Sequence, residues 1–240
     1  MDKTNLVEIK KGQTGTGILI EHDGYISKDC GDNKQLFESI QRLNENAGDG
    51  EFYCPNPFIV SAVFQKFDVK NGNGRIYPEK ILKREVERYI NEKVSQKWAY
   101  GELNHPSDTV IDGSRIAINI VELHWEGKTL VGKLEIITSQ GFRKHGIISC
   151  QGDQVANILL HGLKIGVSSR GLGSVYKKFG ETIVGDDFEI VCWDVVTDPS
   201  TPGAWIDENP ENLQMYKEEK EENKKNLIEN LKKFDDWLLN

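Results

Sequence analysis

Ile116-Ala117-Ile118-Asn119-Ile120-Val121-Glu122-Leu123-His124-Trp125 is the stretch that decides the fold class. Its apolar residues alternate, which predicts a β-strand over residues 114–126. Gly127-Lys128 has the composition of a turn, and Leu130 to Ile137 predicts a second strand directly after it. Two strands joined by so short a turn are typical of an antiparallel sheet.

The remaining patterns predict a mixed protein with few helices. Residues 58–64 and two later stretches, near 163–176 and 182–197, favour strands. Pro78 suits the first turn of a helix that extends to about Val94. A second, short helix ends near Gly162. We therefore predict an α+β fold built on an antiparallel sheet or barrel.

The composition divides the 240 residues into three parts. Residues 1–56 are rich in Gly, Asn and Asp and predict a loosely structured N-terminal arm. Residues 57–206 form the body, and residues 207–240 form a charged tail. One helical face of the tail is apolar, formed by Leu227, Leu231, Phe234 and Leu238. The tail is either a solvated helix packed on the body or a detachable helix that docks on a helical partner.

Charge and cysteine content exclude several classes of protein. Lys and Arg number 30 against 38 Asp and Glu, a net charge of −8, and no basic stripe suits nucleic acid. No apolar run approaches the roughly 18 residues of a membrane span, and the N-terminus lacks a signal-peptide pattern. The four cysteines form no CxxC pair, so we expect no zinc site, no disulfide framework and a reducing cytoplasm.

Gly101-Glu102-Leu103-Asn104-His105-Pro106 is the first of three clusters that combine reactive side chains with glycine or proline. The proline moves His105 away from helical geometry, so its imidazole is expected at a strand end or loop, where it can face a cleft. Glu102 could orient that ring. The alternative is a turn histidine with backbone hydrogen bonds beside a surface carboxylate.

The second cluster is Gly166-Val167-Ser168-Ser169-Arg170-Gly171-Leu172-Gly173-Ser174. Small residues here permit a close backbone approach, and glycines free N–H groups to point at an anion. The pattern is neither a nucleophile elbow nor a P-loop. A polar strand end with a bulge at Gly171 is the alternative.

The third cluster surrounds Asp194, which interrupts the otherwise apolar run Cys192 to Val196. A buried carboxylate needs a partner, and a histidine ring N–H is a common one. The alternative is a surface aspartate on an alternating strand. The three clusters together supply a base, a nucleophile and an orienting acid, although chain order alone does not establish a triad.

Several motifs are similar to those of a known family. They are Asn73-Gly74-Arg75-Ile76-Tyr77-Pro78, the first two clusters, and Asp194 with Pro199-Ser200 and Ala204-Trp205. With them, residues 57–206 resemble the prohead core protein proteases of T-even-type tailed bacteriophages. The resemblance implies a serine peptidase related in fold to herpesvirus assembly proteases, with a β-barrel-like sheet ringed by helices and no cofactor.

The resemblance also implies the enzyme's place and substrates. Such a peptidase is packaged inside the procapsid in the host cytoplasm. It cleaves scaffold and major capsid protein segments, and then itself, after Glu in a Leu/Ile-x-Glu context. We expect self-association of an enzyme that stays inactive until packaging, although no residue indicates it.

The resemblance assigns roles residue by residue. His105 becomes the general base, and Asp194 the third triad member, with Glu102 in reserve. The nucleophile is Ser168, favoured because Gly166-Val167-Ser168 resembles related prohead proteases, or Ser169, because Ser169-Arg170-Gly171 resembles the herpesvirus enzymes. Backbone N–H groups near Arg170 and Gly171 would hold the oxyanion, with Arg170 adding positive charge.

Recognition of an acidic residue predicts a basic pocket, for which Arg75, Arg115 and Lys164 are the candidates. Self-cleavage is expected at Glu229, Glu38 or Glu8, each of which ends an apolar-x-Glu tripeptide.

Two other functions compete with the serine peptidase. One is a non-catalytic internal capsid or scaffold-associated protein of the same fold. The other is a metal-assisted hydrolase that uses Glu102 and His105 with His124 or His161, although their spacing is not HExxH.

Overall fold

The computed structural model describes residues 18–48, 51–106 and 109–196. Ten strands are present in these residues: Ile18–Ile26 (β1), Phe58–Lys66 (β2), Arg75–Ile76 (β3), Tyr100–Glu102 (β4), Ile116–Glu126 (β5), Thr129–Ile136 (β6), Ile165–Leu172 (β7), Val175–Lys178 (β8), Glu181–Val184 (β9) and Glu189–Val196 (β10). Four α-helices accompany them: Asn33–Glu45 (α1), Glu79–Tyr89 (α2), Gln140–His145 (α3) and Gln151–Leu160 (α4). The predicted α+β class is confirmed.

Seven strands form one antiparallel sheet in the order β10-β7-β1-β2-β6-β5-β4. The sheet curls into a half-barrel, so that the segment after β4 reaches β10 through an isolated bridge between Leu103 and Val195. Asn104 N–H donates to the Val195 carbonyl at 2.8 Å across the same junction. A second sheet has the order β3-β9-β8. The curl brings the end of β4 beside β10, two segments about 90 residues apart in the chain, as in the Glu102–Asp194 contact.

The β5–β6 hairpin forms where the alternation predicts it. The hairpin runs from Ile116 to Ile136, and every second residue of β6 is buried, as a sheet with one covered face requires. Gly127 takes a left-handed φ of +58° at the turn, which glycine adopts without strain.

Helix α2 begins directly after Pro78 and places Leu82, Val86 and Tyr89 in the core. A π-helical turn continues it over Ile90–Val94, close to the predicted end. Its polar face covers the free edge of β10, because Arg88 donates to the Ile190 carbonyl at 2.9 Å. This cover satisfies backbone groups that an edge strand would otherwise expose. Helix α4 ends before Gly162, whose φ is +74°.

Part of the predicted arm is structured. Residues 18–26 form β1, an interior strand that pairs with β7 on one side and β2 on the other, and Asn33–Glu45 form α1. Gly24 indicated a loose segment, but it is required by close packing, since a Cβ there would lie 2.5 Å from the Val63 carbonyl oxygen. The two late strands are likewise four shorter ones, β7 to β10, because turns interrupt each stretch.

Other predictions fall on residues that the structure does not describe. Residues 1–17 of the predicted arm and the predicted tail helix with Leu227 and Leu231 are among them. Within the described ranges, no helix is long and apolar enough to cross a membrane. The boundaries at residues 56 and 206 remain predictions.

Candidate active site

His105 connects the other two residues of the predicted triad. Its Nδ1 lies 2.8 Å from Asp194 Oδ2, and its Nε2 is hydrogen-bonded to Ser168 Oγ. Ser168 and Asp194 are fully buried, whereas the His105 side chain keeps 11% of its surface exposed. One residue from each of the three sequence clusters therefore meets at a single point.

Sheet register explains this meeting. Ser168 on β7 and Asp194 on β10 are directly opposite each other, so their side chains share one face. His105 comes from the segment after β4, which Arg115 holds by donating to the carbonyls of Leu103 and Asn104 at 3.3 and 3.1 Å. Asn104 has a φ of +64°, a left-handed conformation that Asn tolerates better than most residues. This turn directs the next residue towards β7 and β10.

The hydrogen bonds define the tautomer of His105. An ionised carboxylate only accepts, so Nδ1 carries the proton and donates to Asp194. Nε2 is then the unprotonated nitrogen, and it accepts from the Ser168 hydroxyl. This arrangement allows the imidazole to remove the hydroxyl proton as the oxygen becomes a nucleophile.

A buried arginine lies behind the carboxylate. The Arg170 side chain is fully buried, with Nε 3.1 Å from Asp194 Oδ2 and Nη2 2.5 Å from Glu102 Oε2. Burial opposes its charge, but a hydrogen bond to Cys192 and the charges of Asp194 and Glu102 outweigh burial and raise the pKa of Arg170 above its ordinary value. Burial and the nearby Asp194 raise the pKa of the Cys192 thiol well above its ordinary value, so this thiol is uncharged at neutral pH.

Glu102 does not occupy the position of the third triad member. Its carboxylate accepts from Arg170 and, at 2.9 Å, from the Asp112 N–H, while its own backbone N–H donates to Asp194 Oδ1 at 2.9 Å. The carboxylate that His105 contacts is that of Asp194.

Ser169 lies on the opposite face of β7 from Ser168, because successive side chains of a strand alternate. It faces Glu21 on β1 and Trp193 on β10. Its hydroxyl is buried and makes no hydrogen bond to any residue of the described chain. The structure thus brings Ser168, not Ser169, to His105.

The predicted oxyanion residues, Arg170 and Gly171, lie within the sheet. The Arg170 guanidinium is committed to two buried carboxylates. Both residues lie inside β7, with β1 on one side and β10 on the other. Gly171 is required by packing, since a Cβ there would lie 2.4 Å from Phe188 Cε2.

The three basic pocket candidates have different environments. Arg75 is 5% exposed and bound to Glu21 at 2.6 Å, so it is a core residue. Lys164 lies with its Nζ 5.8 Å from the centre of the Tyr25 ring. Arg115 contacts the segment that carries His105, and its side chain is 36% exposed.

His124 and His161, which the metal-hydrolase alternative adds to Glu102 and His105, are separated from the triad contacts. His124 pairs with Glu122 at 3.1 Å on β5, and His161 Nδ1 donates to the Asn157 carbonyl at the end of α4. No set of three or more His, Cys, Asp and Glu side chains in residues 18–48, 51–106 and 109–196 is arranged to hold a metal ion.

Only one of the predicted self-cleavage sites falls on described residues. Glu38 is exposed on α1, where the backbone is helical. Glu8 and Glu229 lie outside the described residues.

Sequence reasoning missed the buried partners of Arg170. The alternation of Cys192 and Asp194 on one strand, with Arg170 two residues after Ser168, was the available signal, since residues two apart share a face.

The chain is similar to proteins of known activity. The profile of the prohead core protein serine protease family matches residues 18–214. The prohead core protein protease of Enterobacteria phage T4 is 36% identical over 174 residues, which cover 72% of this chain and 78% of that protein. The solved structure of the bacteriophage T4 capsid assembly protease superposes with a TM-score of 0.57 at 28% identity, covering 75% of this chain and 98% of the other.

A relative at this identity and a family profile over most of the chain lead to the same conclusion, and the curled antiparallel sheet agrees with the solved relative. The chain belongs to the prohead core protein serine protease family, whose members are proteases of phage capsid maturation.

Proposed function

We propose that this serine protease cleaves peptide bonds with Ser168 as nucleophile, His105 as general base and Asp194 as the group that orients His105. The observation that carries the proposal is the pair of contacts made by one imidazole, to Ser168 through Nε2 and to Asp194 through Nδ1. Asp194 is preferred to Glu102 because the Glu102 carboxylate is held by Arg170 and the Asp112 N–H.

The contacts support a two-step acyl transfer. Ser168 Oγ attacks the scissile carbonyl carbon while its proton moves to His105 Nε2. The C–N bond then breaks and the same proton passes to the departing amine, which leaves an acyl-enzyme. Water, deprotonated by His105, attacks the ester and restores the Ser168 hydroxyl. Asp194 stabilises the imidazolium present between these proton transfers.

Scaffold and capsid proteins are the proposed substrates, cut inside the procapsid in the host cytoplasm. The similarity to a T4 capsid assembly protease supports this assignment. We assign cleavage after Glu in Leu/Ile-x-Glu segments and propose Arg115 as the basic residue that recognises the Glu side chain. Arg115 is favoured over Arg75 because it is partly exposed, and over Lys164 because it donates to the Asn104 carbonyl beside His105.

Several further properties belong to the same proposal. They are self-association, self-cleavage at Glu229, Glu38 or Glu8, a herpesvirus-protease-like fold, and independence of nucleic acid and membranes.

Co-expression with a scaffold protein that contains Leu-x-Glu sites tests the assignment. The wild type is compared with Ser168→Ala, Ser169→Ala and His105→Ala by mass spectrometry of the fragments. We expect cleavage by the wild type and by Ser169→Ala only, with losses of about 10⁶-fold for the other two variants. Cleavage retained by Ser168→Ala and lost with Ser169→Ala would reassign the nucleophile, and no cleavage by any variant or the wild type would favour the non-catalytic structural protein.

A further inference from the structure

We propose that Arg170 and Glu102 are positioning residues of this protease, Arg170 acting through Asp194 and Glu102 acting through the charge of the buried cluster. In this arrangement Arg170 fixes the orientation of the Asp194 carboxylate, and Glu102 gives the buried cluster an excess of one negative charge. The inference rests on the proposed function, because it requires Asp194 to act on His105.

The contacts of Arg170 fix Asp194 from behind. Its Nε lies 3.1 Å from Asp194 Oδ2, the same oxygen that accepts from His105, and its Nη2 lies 3.3 Å from Oδ1. The backbone N–H of Glu102 also donates to Oδ1, at 2.9 Å. A planar guanidinium that contacts both carboxylate oxygens restricts rotation of the carboxylate. The direction in which Oδ2 meets the imidazole is thus set by groups that do not touch His105.

Glu102 changes the charge of the cluster. Three fully buried groups, Arg170, Glu102 and Asp194, carry one positive and two negative charges when ionised. The net charge of these three groups and His105 together is −1 while His105 is neutral, and zero when His105 is an imidazolium. Because charges interact strongly in a buried environment, this balance favours proton transfer from Ser168 to His105.

The other groups around the cluster leave this balance in place. Cys192 and Tyr89 have raised pKa values, chiefly because of burial, and are uncharged at neutral pH. Arg115 lies 3.9 Å from Glu102, but its side chain is 36% exposed and solvent screens its charge. Arg88 on α2 pairs with Glu85 at 2.9 Å. The excess negative charge therefore faces His105.

A double-mutant cycle separates action through Asp194 from an independent role. Arg170→Lys keeps the charge but loses the planar fork, so we expect a fall of about 10²-fold in kcat for a Leu-x-Glu peptide, with KM unchanged. In an Asp194→Asn background the same change should alter the rate of Ser168 labelling by a fluorophosphonate less than about threefold. Arg88→Lys is the matched control, because Arg88 also contacts β10 but not Asp194.

Glu102→Gln tests the charge balance independently of Arg170. The amide has the same shape without the charge, so the acid limb of the profile of kcat/KM against pH should move to lower pH. Arg170→Lys should leave that limb in place, and thermal unfolding identifies any variant that fails to fold.

Specific results would overturn the inference. A loss of about 10²-fold from Arg170→Lys in the Asp194→Asn background would mean that Arg170 acts independently of Asp194, for example on an oxyanion. An unmoved acid limb in Glu102→Gln would remove the role of its charge. Full activity of Asp194→Asn or His105→Ala would instead contradict the proposed function itself, so the two failures are distinguishable.

Discussion

Two buried arginines, Arg75 of β3 and Arg170 of β7, have their charge partners on opposite faces of the large sheet. The two arginines differ in the number of those partners. Arg75 pairs with Glu21 opposite Ser169, and Arg170 pairs with Glu102 and Asp194 on the Ser168 face. Glu21 Oε1 also accepts from the Tyr77 hydroxyl at 2.7 Å, and its Oε2 accepts from Asn71 and Asn73 at 2.6 and 2.8 Å. We call these sets the Arg75 cluster and the Arg170 cluster.

The difference lies in charge balance. The Arg75 cluster has one carboxylate for one guanidinium, and Glu21 accepts from Arg75, Tyr77, Asn71 and Asn73. The Arg170 cluster has two carboxylates for one guanidinium, and Asp194 also contacts an imidazole. The balanced Arg75 cluster is therefore typical of a structural ion pair. The excess carboxylate beside a histidine in the Arg170 cluster is typical of a catalytic site.

Asp194→Asn and Glu21→Gln are equivalent changes in the two clusters and should have the most different effects. We expect Asp194→Asn to lower kcat by about 10⁴-fold, because an amide can present an N–H to His105 Nδ1 and favour the wrong tautomer. Glu21→Gln should keep kcat within about tenfold. Peptide hydrolysis by folded protein, checked by circular dichroism, measures both. A loss of less than about tenfold in Asp194→Asn would direct attention to Glu102 as the third member.

Arg75→Met tests the Arg75 cluster by its effect on stability, whereas Asp194→Asn tests the Arg170 cluster by its effect on activity. Removing the guanidinium leaves Glu21 buried without its ion-pair partner, which we expect to lower the free energy of unfolding by about 3–5 kcal/mol. Urea denaturation measures this change. Lys83→Met is the control, since the Lys83–Glu79 pair is exposed and should change stability by less than about 1 kcal/mol. Equal losses in the two variants would contradict the structural role of the Arg75 cluster.

The sequence predicts the strands that have one covered face better than those buried on both. The sequences of β5 and β6 alternate between apolar and polar residues, and each predicted end lies within two residues of the observed one. Every residue of β7 is buried, so its sequence has no alternation of polar and apolar positions, and its end and the start of β8 merged into one predicted strand. β1 falls in the predicted loose arm because the glycine content of residues 1–56 indicates flexibility, whereas Gly24 is required by close packing.

The candidate site divides in the same way. Glycine and proline mark the segments that carry His105, Ser168 and Asp194, so their residues could be selected from the sequence. The pairing of Arg170 with Glu102 joins residues 68 positions apart and depends on the curl that brings β4 to β10. Charge balance is a property of that tertiary contact, so local pattern alone does not indicate that Glu102 and Asp194 are the partners of Arg170.

Gly101→Ala tests whether the Arg170 cluster depends on close contact between β4 and β10. A Cβ at Gly101 would lie 2.1 Å from the Trp193 carbonyl oxygen, so the strands must separate. We expect a loss of about 1–3 kcal/mol in stability, together with lower kcat as Glu102 moves from Arg170. Gly113→Ala is the control, because no heavy atom lies within 4 Å of its added Cβ. Unchanged unfolding of Gly101→Ala would mean that β4 and β10 separate at no cost.

Cys192→Ala should have the smallest effect, because its thiol adds no charge to the Arg170 cluster. Cys192 Sγ accepts from Arg170 Nη2 at 3.1 Å and Nε at 3.3 Å, and its S–H donates to Asp194 Oδ1 at 3.4 Å. Losing these weak bonds costs about 1 kcal/mol, or about fivefold in kcat/KM. The acid limb of the rate profile should stay in place, since burial keeps the thiol neutral by raising its pKa.

A raised pKa in the folded chain also means that the Cys192 thiol favours folding below its ordinary pKa of 9.0, and that this contribution is lost as pH rises further. Denaturation between pH 8 and about 10 should therefore show a smaller loss of stability in Cys192→Ala than in the wild type. An acid limb that moves in this variant would mean that the sulfur carries charge, and the excess of one negative charge assigned to Glu102 would then be shared with Cys192.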